Sequence, residues 1–110
     1  MRKNPQTYLT HVLQSIQRIE RYLQGVSKEE FLQSEGKQDQ ITRRLEIIGE
    51  AVRQIPGEFK QQYPDIPWRD IGDMRNILIH VYFEVDYEIV WRTVTELVPK
   101  LKKQIEELLK

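Results

Sequence analysis

Apolar residues recur at steps of three and four along most of the chain, which is the period of an α-helix. Leu9, Val12, Leu13, Ile16, Ile19 and Leu23 mark one face of a long first helix, with Pro5 ahead of it and Gly25 behind it. That is the usual asymmetry of helix ends. Ser27-Lys28-Glu29-Glu30 has the form of a capping box and opens a short helix through Phe31 and Leu32. Gly36 then breaks the pattern. Ile41, Leu45, Ile48, Val52 and Ile55 define another long helix, ended by Pro56-Gly57. Between Gly57 and Pro67, two prolines leave room for one weak helical turn and a tight connection. A further helix starts near Trp68 and runs to about Tyr82 or Phe83. Asp86 is placed to cap a last helix carrying Val90, Trp91, Val94, Leu97, Leu101, Ile105 and Leu108. Pro99 lies inside it and predicts a bend, because the pattern resumes beyond it. No segment alternates strictly, so no sheet is expected. Long helices with short connections predict an all-α antiparallel bundle of about four to five helices, with a bent last helix.

The segment from Trp68 to Tyr82 departs from a simple amphipathic pattern. At 100° per residue, Ile71, Met74, Leu78 and Val81 form a core-facing stripe, with Arg75 and Tyr82 together at its edge. Asp73, Asn76 and His80 fall on the opposite face, and Ile77 and Ile79 fill the flanks. A helix apolar on more than one side needs a second cover, and in a chain this short a second copy of the subunit is the natural candidate. The expectation is a homodimer with His80, Asn76 and Asp73 in or beside the interface.

Composition narrows the function classes. The 110 residues make one domain, residues 1–110, with a limited core of its own. Seventeen basic residues balance seventeen acidic ones, which argues against non-specific coating of nucleic acid but leaves room for a local basic cleft. The absence of cysteine excludes disulfides and Cys-based zinc sites, and fits a reducing compartment. No secretory signal is visible, and no apolar run is long enough to span a bilayer. The expected location is the cytoplasm, with no membrane partner.

A histidine and an arginine, with the carboxylates scattered along solvent-facing helix stripes instead of clustered at metal-ligand spacing, suggest phosphoryl transfer in RNA without a metal or other cofactor. A histidine such as His80 titrates near neutral pH and can take a proton from a ribose 2′-hydroxyl or give one to the leaving oxygen. An arginine such as Arg75 forks onto phosphate oxygens and stabilises the charge that builds there. On a straight helix, however, residues five apart point about 140° away from each other. Either the helix loosens before His80, or the site combines groups from two subunits.

The string Arg75-Asn76-x-x-x-His80-x-Tyr82 resembles the R-x-x-x-x-H-x-Y signature of HepT-like toxins in the HEPN ribonuclease family, including the polar residue after the arginine. Trp68 before it, and Val85-Asp86 and Val90-Trp91 after it, resemble the family's flanks. The resemblance implies a HEPN-like helical fold and a metal-independent endoribonuclease toxin acting as a dimer. Arg75 and His80 would be catalytic in the cleft between subunits, with Asn76 and Asp73 supporting them. It further implies a minimal nucleotidyltransferase antitoxin as partner, which silences the toxin by attaching AMP to Tyr82.

Structural roles compete with these. His80 could be a buried histidine bonded to a carbonyl, Arg75 an ion-pair partner of Asp73 or Glu46, and Tyr82 a core-edge residue. Trp68 and Trp91 read as packing anchors, and His11 as a surface or interface residue. Arg43, Arg44 and Arg53 form a solvated face or the positive rim of an RNA cleft. The competing function is a non-catalytic helical dimer that scaffolds a nucleotidyltransferase.

Overall fold

The computed structural model describes residues 4–74, 76, 79, 80 and 84–110. Helix α1 spans Pro5–Leu23. Asn4 caps it by accepting the Gln6 N–H at 2.9 Å, and Pro5 at its first position has no N–H to satisfy. The helix buries Leu9, Val12, Ile16 and Ile19. Gly25, at φ +73°, turns the chain out of it in the left-handed region.

The capping box opens α2, Lys28–Gln33: the Glu30 N–H donates to Ser27 Oγ at 3.1 Å and the Ser27 N–H to Glu30 Oε1 at 3.3 Å. Helix α3 covers Glu35–Gln54. It begins one residue before Gly36, which therefore lies inside a helix instead of breaking the pattern. Ser34 sets that start by accepting the Lys37 N–H at 3.2 Å. Gln38 is buried in α3, and its amide donates to the Phe31 and Leu32 carbonyls at 3.1 and 3.0 Å. Those carbonyls belong to the end of α2, where a helix leaves acceptors unpaired.

A short helix α4, Gly57–Gln61, and the turn after it lead to α5, Trp68–Gly72. Trp68 is buried and its Nε1 donates to the Tyr63 carbonyl at 3.0 Å, so it anchors the connection as expected. The uninterrupted helix expected from Trp68 to Tyr82 is not what forms. Gly72 and Asp73, both poor in helix interiors, end α5; Met74 and Asn76 are helical again, and the backbone is extended at Ile79–His80 (β1). This strand pairs antiparallel with Glu84–Val85 (β2) in the register Ile79 to Val85 and His80 to Glu84. The expectation of no sheet thus fails locally: β-branched Ile79 and Val85 suit a strand. Two residues a side leave the molecule all-α.

Asp86 caps α6, Tyr87–Arg92, accepting the N–H groups of Glu88 and Ile89 at 3.0 and 3.3 Å. The helix continues as a π-helical segment, Thr93–Leu97, and then as α7, Val98–Leu108. This is how the last helix passes Pro99. The Val98 N–H donates five residues back to the Thr93 carbonyl, and the Thr93 and Thr95 hydroxyls donate to the Ile89 and Trp91 carbonyls, each at 2.8 Å.

The helices form an antiparallel bundle around one core, in which α1, α3 and the last helix meet through Leu9, Ile16, Leu45, Ile48, Leu101 and Ile105. Trp91 and Phe31 stack obliquely at 5.5 Å and close the α2 side. The radius of gyration is 14.0 Å, slightly above the ~13 Å of an average domain this long, as an elongated bundle requires. Among the described residues, no helix is long and apolar enough to cross a membrane.

Candidate functional site

The segment just ahead of the motif, α5 and Met74, is held against α3 by a close backbone approach. A Cβ added to Gly49 would sit 3.0 Å from the Ile71 carbonyl oxygen and 3.3 Å from Met74 Cβ. Ile71 and Met74 are fully buried on that face. Glycine in mid-helix weakens α3 intrinsically, and here it is what lets α5 lie flush.

Of the residues singled out by sequence, Asp73 and Asn76 are placed. Asp73 ends α5, and its carbonyl accepts the Asn76 N–H at 2.8 Å. Its carboxylate pairs with Arg53 at 3.6 Å, both side chains being about half exposed. Glu46 lies 3.9 Å from Arg43. Asn76 is exposed. The backbone of His80 is in β1, so Asp73, Asn76 and His80 do not share one helical face. The 140° separation, which assumes a regular helix, therefore does not apply between Arg75 and His80. The side chain of His80, and Arg75 and Tyr82 altogether, lie outside the described residues.

Beside this element a groove of about 1260 Å³ runs between α1 and α3, with Gly72 among its lining residues. Five arginines and three glutamates line it, a positive surplus in a chain of zero net charge. Arg43, Arg44 and Arg53 contribute from α3, as the sequence reading allowed. Arg18 and Arg21 contribute from α1, and that reading missed them. Their signal was weak: they sit one turn apart among the exposed residues of α1, which read as a solvated face. Glu20 is occupied by Lys102, which lies outside the groove and donates to both its oxygens at 2.9 and 3.1 Å. The same hydrogen bond, reinforced by the charges of Glu20 and Glu106, raises Lys102 above its ordinary 10.5. Tyr8 and His11, in edge-to-face contact at 6.3 Å, also line the groove.

The family model described as "Ribonuclease HepT-like" matches residues 12–108, which include the whole motif and both of its flanks. The chain belongs to the HepT-like ribonuclease family. It is an RNA-cleaving enzyme of that family. The HepT-like chain is 42% identical over 110 residues to "Probable ribonuclease HepT" of Thermococcus cleftensis, covering both chains fully. It is 41% identical over 107 residues to a "Putative RNase" of Caldanaerobacter subterraneus subsp. tengcongensis, covering 97% of this chain and 96% of the relative. A third relative, "Gamma-glutamylcyclotransferase and putative RNase" of Methanocaldococcus jannaschii, is 43% identical over 109 residues, and the HepT-like chain spans about half, 49%, of its length. No solved structure matches the chain.

Proposed function

We propose that this chain is the toxin of a toxin–antitoxin pair, a metal-independent endoribonuclease acting in the cytoplasm as a homodimer. The observation that carries the reading is Arg75-Asn76-x-x-x-His80-x-Tyr82 within a HepT-like ribonuclease. In this reading His80 moves the proton of the attacking 2′-hydroxyl or of the leaving 5′-oxygen. Arg75 pairs with the phosphate oxygens as negative charge accumulates. Asn76 and Asp73 hold the approach from the α5 side, where the Arg53–Asp73 pair fixes the end of the helix. The cleft lies between two subunits. A minimal nucleotidyltransferase antitoxin silences the enzyme by transferring AMP to the Tyr82 hydroxyl, which places negative charge and bulk beside the guanidinium.

RNA cleavage by purified variants, with and without EDTA, tests the proposal. His80→Ala should lose about a hundredfold or more in rate with fold intact. Arg75→Ala should do the same, and Arg75→Lys should recover only part, because an ammonium lacks the fork. Full activity in His80→Ala removes the proposed chemistry, and activity lost to EDTA removes its metal independence.

A further inference from the structure

We propose that the groove between α1 and α3 is the path of the RNA substrate, a binding surface for single-stranded RNA that leads to the motif. The inference rests on the ribonuclease reading above and adds to it where the strand lies. In an antiparallel pair, the start of α1 lies beside the end of α3. The groove end that carries Tyr8 and His11 is therefore the end where Arg53 and Gly72 meet α5.

Three properties select single-stranded RNA as the occupant. The first is charge. Arg18, Arg21 and Arg44 have no ion-pair partner among the described residues, while Glu20 is neutralised from outside by Lys102. Guanidinium groups without an internal acid are suited to phosphate oxygens. The second is chemistry at the motif end: an aromatic ring and an imidazole offer faces on which unpaired bases stack. The third is length. From Tyr8 to Gln24, α1 rises about 24 Å, room for roughly seven stacked nucleotides at about 3.4 Å each. A second copy of the chain fits less well, because packing five arginines against their own symmetry mates would bury like charges.

Fluorescence anisotropy with a 5′-labelled 12-nucleotide oligouridine, on the full chain carrying His80→Ala so that the probe stays intact, measures binding directly. Arg18→Gln with Arg44→Gln should weaken binding roughly tenfold at 0.1 M salt and flatten the salt dependence by about 0.7 per lost phosphate contact. Tyr8→Leu, which keeps the apolar contact with the core, should cost roughly fivefold through lost stacking. Lys100→Gln with Lys103→Gln removes the same charge outside the groove and should leave affinity nearly unchanged. In the His80→Ala background, 4-thiouridine crosslinks should map to α1 and α3. With His80 restored, the arginine variants should raise KM far more than they lower kcat.

Unchanged affinity and salt slope in the arginine pair, or crosslinks outside the groove, overturn the inference. So does a switch of those variants from dimer to monomer by light scattering with affinity per dimer retained, which would make the face an interface between copies. Cleavage by the wild type with KM unmoved in the variants sinks the groove and leaves the ribonuclease reading standing. Groove-dependent binding without any cleavage does the reverse.

Discussion

At the scale of single residues, the decisive position for the site is Gly49. An alanine there should gain about 1 kcal/mol of helix propensity. It also drives a methyl into the Ile71 carbonyl and Met74, and overpacking of this kind costs ~1–3 kcal/mol. Backbone cannot swing aside as a lysine tip can, so the clash should win. Thermal denaturation of Gly49→Ala should show a lower midpoint, with RNA cleavage impaired beyond the loss of folded protein, because α5 is pushed off its seat. A higher midpoint with full activity would mean that α5 tolerates the shift. Tyr82→Phe probes control at the same scale. It should still cleave RNA yet gain no mass on co-expression with the proposed nucleotidyltransferase partner, whereas the wild type should gain mass in units of AMP. Mass addition on another residue would reassign the target.

At the scale of elements, the caps and buried stripes were legible because each is a local bargain between neighbours in the chain. Asn4, Ser27 and Asp86 satisfy N–H groups two or three residues on, and no tertiary context is needed to see it. Asp86→Ala should accordingly cost about 1 kcal/mol, visible as a lower denaturant midpoint at unchanged slope. The segment after Trp68 was less legible. Its apolar residues satisfy the helical period, but Gly72-Asp73 and the β-branched Ile79 oppose it, and periodicity counts only the first. The α1 half of the groove was missed for a different reason. Arg18 and Arg21 look like an ordinary solvated face until α3 brings Arg43, Arg44 and Arg53 across from them. The Arg53–Asp73 pair, joining residues twenty positions apart, is likewise a product of the fold; half exposed, it contributes only ~0.2–1 kcal/mol.

For the whole molecule, charge balance and size set the terms. A neutral protein holds RNA only where its charges are sorted, and the groove is a place where they are. A body of 42 × 31 × 24 Å has a modest core, so the proposed dimer should add buried surface and make the melting point rise with protein concentration. Multi-angle light scattering at micromolar concentration should give the mass of two chains, and a monomer there would remove the shared cleft from the proposal.

The π-helical stretch before Pro99 has a consequence for chain length. A π-turn amounts to one surplus residue stored inside an α-helix. Removing Thr95 in a Pro99→Ala background, where no ring opposes a regular ladder, should let the stretch relax to α-helix with Leu101 and Ile105 still facing the core. Adding one alanine after Thr95 has no such outlet. It should rotate everything downstream by about 100°, turning those two side chains to solvent and abolishing cooperative melting. The last helix is thus asymmetric toward indels: it carries slack for a deletion and none for an insertion.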